Sequence, residues 1–172
     1  MTNQNIQTNI PGCTLRFAHE QDNALVFSFI RKIAEYEKMS NDVVTTEEML
    51  YDSLFVRRAA QVVLAEYEGK PVGFALFFHN FSTFTGRQGL YLEDVFVDPG
   101  MRGKGIGKVL LTFLARVAVE RGCGRMEWAC LNWNKPSIAF YEKLGAKAMS
   151  DWSVYRLEGE TLQKAAGLFT SQ

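Results

Sequence analysis

The densest chemistry in this sequence of 172 residues is the run Arg102-Gly103-Lys104-Gly105-Ile106-Gly107-Lys108. It follows a strand-like stretch and opens an apolar helical stripe. Backbone N–H groups at such a helix start have no intrahelical acceptor. The helix dipole turns its positive end toward them, and glycine lets a ligand approach the main chain. With three cations alongside, the segment suits a phosphate or a pyrophosphate. It is not a P-loop, because Arg102 stands where the first glycine of GxxxxGK[ST] belongs and Val109 follows Lys108. It is not a dinucleotide fingerprint, because the third glycine of GxGxxG would fall on Lys108, although Glu127 lies about twenty residues on, where a ribose-binding acid would sit. A glycine-rich strand-to-helix turn without a ligand is the plainer alternative.

The elements that must hold this run are legible in the apolar periodicity. Residues 1–12 read as a loose leader ending in Pro11-Gly12, and 13–172 as a single domain. A strand is expected at 13–18 and a helix at 22–38, with Leu25, Val26, Phe29, Ile30, Ile33 and Ala34 on one stripe. Thr45-Thr46-Glu47-Glu48 forms a capping box for a second helix to about residue 55. Strands at 61–66 and 72–78 flank a Glu68-Gly69-Lys70 turn and form a hairpin. A strand at 90–97 ends at Asp98-Pro99-Gly100. The helix at 105–121 carries Ile106, Leu110, Phe113, Leu114 and Val117. A strand at 125–131, a short helix capped by Asn134 with Pro136 in its first turn, and further strand at 147–157 complete the order β-α-α-β-β-β-α-β-α-β. A meander followed by βαβ units predicts an α/β (α+β) domain with a mixed sheet and helices on both faces.

Composition narrows the function classes. Nineteen Lys and Arg balance nineteen Asp and Glu. A nucleic-acid binder usually shows a basic excess, so nucleic acid is disfavoured as a partner. The apolar share of 47% suits a globular chain rather than a disordered one. No stretch approaches the roughly 18 apolar residues of a membrane span, and the polar start lacks a signal peptide's regions. Cys13, Cys123 and Cys130 show no CxxC spacing, and His19 and His79 are far apart. No metal site is expected, and a reduced, cytoplasmic setting is.

Two longer segments carry a resemblance. Val97-Asp98-Pro99-Gly100-Met101-Arg102-Gly103-Lys104-Gly105-Ile106-Gly107 resembles the acetyl-CoA signature, Arg/Gln-x-x-Gly-x-Gly/Ala, of the GNAT superfamily of N-acetyltransferases. The stretch from Asn132 through Tyr141 to Gly145 is similar to that superfamily's Asn-x-x-Ala-x-x-x-Tyr-x-x-x-Gly pattern. Ala34-Glu35-Tyr36-Glu37-Lys38-Met39 and Leu90-Tyr91-Leu92-Glu93-Asp94-Val95-Phe96-Val97 look closest to the diamine acetyltransferase branch, spermidine/spermine and thialysine acetyltransferases included. The resemblance spans about residues 14–166. It implies a mostly antiparallel sheet splayed after its fourth strand, with acetyl-CoA as co-substrate and no metal. Val95 and Val97, with Phe96 between them, would meet the pantetheine arm, and the 102–108 run the pyrophosphate. Asn134, Lys135, Pro136 and Ser137 would line the cofactor's other side. Tyr36, Glu37, Glu93, Asp94, Glu127, Trp128 and Ala129 would line the acceptor side. A homodimer is implied as well, with Trp128, Trp133 and Trp152 as interface candidates.

The chemistry such an enzyme needs has candidates here. A primary amine is a cation at neutral pH and must lose a proton before attacking a thioester, so a nearby carboxylate is required. Glu93 is the candidate. Asp94 is its neighbour, and strand alternation lets only one of the two point into the site. Departure of a thiolate calls for an acid, and Tyr141 is the candidate. Residues 33–55 contain six acids against Lys38, an acidic region for a cationic acceptor. The loop 81–85, where polyamine acetyltransferases carry an acid, has none, which leaves room for a shorter amine or an amino-acid side chain such as thialysine or lysine. The sequence therefore predicts direct acetyl transfer from acetyl-CoA to a small primary amine. A protein lysine or N-terminus, an antibiotic amine, or a non-catalytic acetyl-CoA-binding module are the alternatives.

Overall fold

The computed structural model describes residues 5–169. It divides into two compact units, the first running to Ala129 and the second from Cys130.

The first unit is built on a six-stranded sheet in the order β1-β2-β3-β4-β5-β6. Its strands are β1 (Ile6–Gln7), β2 (Cys13–Phe17), β3 (Gln61–Tyr67), β4 (Lys70–Ser82), β5 (Arg87–Val97) and β6 (Met126–Trp128). Every pair is antiparallel except β5 with β6, which is parallel. Part of the expected leader is therefore structured: Ile6 and Gln7 pair with Leu15 and Thr14.

α1 (Asn23–Tyr36) and α2 (Glu47–Tyr51) cover one face. Thr46 caps α2 by accepting the Met49 N–H, as the capping box predicts. Val26, Phe29, Leu50, Leu54, Phe74, Leu76 and Phe96 form the core beneath them. Phe29 stacks on Phe74 with ring centres 5.4 Å apart, and burying each such ring is worth about 1.5–3 kcal/mol. α3 (Ile106–Glu120) covers the opposite face. There Arg121 lies over the Phe77 ring at 5.4 Å, and Phe113 meets Phe17 edge-on at 6.1 Å. At the sheet's other side Arg16 grips Asp22 with both terminal nitrogens, at 2.7 and 2.8 Å, and Glu66 with Nε at 2.8 Å.

One irregularity shapes the site. Leu76 pairs with Asp94, but Phe77 pairs with Leu92, so Glu93 is an extra residue on β5. This bulge flips the alternation. Leu90 and Leu92 face α3, whereas Asp94 and Phe96 face α1. The simple strand rule for Glu93 and Asp94 therefore fails at this point.

The second unit holds α4 (Lys135–Lys143) and α5 (Gly159–Ala166). α4 opens as the sequence predicts, with Pro136 in its first turn and the Asn134 side chain accepting the Ser137 N–H at 3.4 Å. It ends at Gly145, in the left-handed region with φ +87°. Two expectations are corrected. The strand expected at 125–131 is realised only over β6, because the bulge ends the edge that β6 pairs with. The stretch 147–157 forms no strand, since no edge within its unit pairs with it. The sequence reading does not include α5.

Candidate functional site

β5 pairs with β6 only from Leu90 to Leu92. From Glu93 to Val97 no strand among the described residues pairs with its far edge, the splay the sequence analysis anticipates. The open groups can be identified. The Asp98 N–H donates to the Val72 carbonyl at 2.8 Å. A carbonyl and the next residue's N–H point opposite ways in a strand, so the main-chain groups of Val97, whose carbonyl accepts from Arg102 Nε, and by alternation those of Val95, face this edge. Phe96 does not contribute there: its ring is 5% exposed in the α1 core, and its own main-chain groups turn toward β4.

The glycine run lies beyond this edge. Among the described residues, the N–H groups of 103–108 have no hydrogen-bond partner. Gly105 is the N-cap of α3 in a left-handed conformation, φ +86°, and brings no side chain to cap the helix. A row of free donors at a helix N-terminus, next to an open strand edge, fits a diphosphate with an extended arm. The cationic side chains are less free than the sequence suggests. Lys104 turns back over the Tyr67 ring at 4.9 Å. Arg102 lies over Tyr36 at 4.7 Å and over Phe96 at 5.7 Å. The free donors of the run are thus main-chain N–H groups, with Lys108 in the first turn of α3.

On the α1 face runs a line of carboxylates. Asp94 sits half-buried, and burial, with Glu93 and Glu37 near it, pushes its carboxyl up to about 6. Burial also raises Glu37, which caps the C-terminus of α1. Glu93 projects from the bulge and is exposed. Tyr91 comes next, its phenol pushed up by burial, then by Glu93 and Glu127. Glu127 lies beside Tyr91 across the parallel ladder. Its Oε2 accepts from Asn80 Nδ2 at 2.9 Å and from Arg125 Nε at 2.8 Å. Such a line attracts a cation, and a carboxyl poised near 6 can accept a proton at neutral pH.

The structure does not gather every candidate on this face. Register places Trp128 with Leu92, on the face opposite Glu127. Ala129 follows β6 and is exposed. Of the acids at 33–55, Glu37 joins the carboxylate line, while Glu35 lies on a groove shared with Phe27, Arg31 and Val43. Asn80 and Tyr91 escaped the sequence analysis; their signal was alternation along β4 and β5, which the bulge masks. In the second unit, Asn134 is buried and caps α4, and Lys135, Pro136 and Ser137 form its first turn. The Tyr141 ring sits 5.4 Å from that of Phe140. Among the described residues no group of three or more His, Cys, Asp or Glu could hold a metal ion.

Comparison with known proteins agrees with this geometry. The sequence pattern of the acetyltransferase (GNAT) family matches residues 28–146. The thialysine N-epsilon-acetyltransferase of Sus scrofa is 36% identical over 165 residues, which cover 89% of this chain and 96% of that protein. An L-ornithine N5-acetyltransferase of Arabidopsis thaliana is 31% identical, covering 87% of this chain and 86% of its own. Among solved structures, an integron cassette protein from the mobile metagenome of V. cholerae superposes with a TM-score of 0.75 at 28% identity, over 90% of this chain and 98% of that one.

Proposed function

Since the chain belongs to the GNAT family of acetyltransferases, we propose that it transfers the acetyl group of acetyl-CoA directly to a primary amine of a small molecule, of the diamine or basic amino-acid type. The observation that carries this reading is the line Glu37, Asp94, Glu93 and Glu127 beside the open edge of β5. It offers anionic groups at two separated points. Three residues of strand span roughly 10 Å, which suits an acceptor with a reacting amine at one end and a second charge at the other. The relatives named for thialysine and for L-ornithine support the same class.

In this reading acetyl-CoA supplies the activated acetyl group. The main-chain edge of Val95 and Val97 and the N–H groups of 103–108 hold and orient it. Asp94 and Glu93 hold the acceptor's ammonium group and take up its proton, directly or through one water. Holding both partners together supplies the proximity, so no covalent nucleophile on the protein is needed. Tyr141 gives a proton to the departing thiolate, a role taken from the family pattern it matches. Asn134, Lys135, Pro136 and Ser137 contact the cofactor.

The reading includes a homodimer in the cytoplasm. The stretch with Trp152, Val154, Tyr155 and Leu157 leaves these side chains 58–93% exposed, an apolar set for a second copy to cover. The three cysteines are free thiols, in keeping with a reduced compartment.

A panel of small amines and lysine-containing peptides, with thiol release as the readout, tests the acceptor class. Turnover with diamines or basic amino acids is expected. Turnover with peptides alone would replace this reading by protein acetylation, and acetyl-CoA binding without turnover would replace it by a sensing module.

A further inference from the structure

Arg102 opens the pyrophosphate signature, yet its side chain points away from the free N–H groups that follow it. Its Nε donates to the Val97 carbonyl at 3.1 Å. That carbonyl lies on the open edge of β5. Its guanidinium lies over Tyr36 at 4.7 Å and over Phe96 at 5.7 Å, both within the roughly 6 Å range of a cation–π contact. Tyr36 is the last residue of α1, and the next residue, Glu37, is a member of the carboxylate line. One planar side chain thus touches three parts: the phosphate loop, the end of the open strand edge and the end of the acceptor-side helix. A guanidinium suits this task because its flat face stacks while its edge donates.

We propose that Arg102 is a positioning residue rather than a phosphate ligand, and that through Tyr36 it ties the phosphate loop to the helix end that carries Glu37. The inference rests on the reading that residues 103–108 hold the pyrophosphate of acetyl-CoA. Two consequences separate it from direct phosphate binding. Removing Tyr36, which has no part in the phosphate loop, must weaken cofactor binding about as much as removing Arg102. The loss must also reach the acceptor, because Glu37 is released with it.

The test is calorimetric titration of CoA into the wild type, Arg102→Ala, Tyr36→Leu and the double variant, at two salt concentrations, with melting curves for each. Steady-state KM values for both substrates complete the set. The expected result is an increase of about tenfold in the CoA Kd for either single variant, with little further loss in the double variant. For Tyr36→Leu, which removes no charge, the dependence on salt should stay as in the wild type. The acceptor KM should rise several-fold while kcat changes less. Tyr36→Phe, which keeps the ring under the guanidinium, should keep the CoA Kd and the melting temperature near those of the wild type and so exclude a general folding defect. A Kd raised by Arg102→Ala but not by Tyr36→Leu would overturn the proposal and make Arg102 a phosphate ligand. Failure of the wild type to bind CoA would instead overturn the reading of the loop.

Discussion

Asn80 Nδ2 donates to Glu127 Oε2 across 2.9 Å, from β4 over the empty Cβ position of Gly89 to β6. A Cβ at Gly89 would collide with Asn80 Oδ1. Glycine is therefore needed for Asn80 to lie flat and hold Glu127, while Arg125 holds the same oxygen from the other side. Among the described residues both of these contacts fall on Oε2 of Glu127. Glu127→Gln is expected to lower kcat/KM roughly tenfold for an acceptor with a second ammonium group, the scale of one charged hydrogen bond. It should lower it far less for a simple monoamine. Gly89→Ala should give the same pattern with Glu127 intact. Parallel kinetics on a diamine and a monoamine check both.

Asp94 sets the expected pH dependence. Its folded-state carboxyl is raised to about 6, and only the ionised form accepts a proton. In the free enzyme kcat/KM should therefore rise with pH through about 6. Asp94→Asn should remove this limb and cost turnover. The sign for stability is opposite. A raised carboxyl favours the folded state below its unfolded value near 3.9, and that contribution is lost as pH rises through 6. Asp94→Asn should thus leave melting unharmed at pH 7 while harming activity, which separates the two roles.

Much of this arrangement is legible from residue types and spacing, and the rest is hidden for definite reasons. The glycine run, the capping box at Thr46 and the Asn134 cap are local signals, and each forms as local chemistry dictates. The bulge at Glu93 depends on how β4 pairs with β5. A single sequence carries no signal for that pairing, and simple alternation does not predict that Glu93 is the extra residue. The stretch 147–157 has strand-forming side chains, but strand propensity becomes a strand only where an edge is offered. Arg102 and Lys104 read as phosphate cations until neighbouring aromatic rings, distant in sequence, are in place.

Gly105 tests the anion-binding loop. Its φ of +86° is left-handed, which costs an ordinary L-residue about 1–2 kcal/mol. Gly105→Ala should distort the N-terminus of α3 and raise the CoA Kd several-fold or more. It should leave the circular-dichroism spectrum of the fold unchanged. Titration calorimetry with CoA checks this.

Arg16 and Asp22 predict acid behaviour of the fold itself. The guanidinium holds the Asp22 carboxyl below its usual range. Its contribution is present above the unfolded value near 3.9 and is lost as pH falls through the lower folded value. Asp22→Asn should cost about 1–3 kcal/mol at pH 7 and less at pH 3, as denaturant melts at the two pH values would show.

Tyr141→Phe removes only a hydroxyl. Turnover should fall by about a hundredfold or more, the scale of a general acid, with CoA affinity little changed. Unchanged turnover in steady-state assays would remove Tyr141 from the chemistry.

The central claim is that an acetyl group passes from acetyl-CoA to a small cationic amine. It is tested most directly in a single competition, with isotopically labelled acetyl-CoA, a basic amino acid, its decarboxylated diamine and a lysine-containing peptide in one vessel, followed by mass spectrometry. The account predicts that the label appears on the side-chain nitrogen of the amino acid or on the diamine, and that the enzyme itself stays unlabelled. Label confined to the peptide, or held on the enzyme, would contradict it.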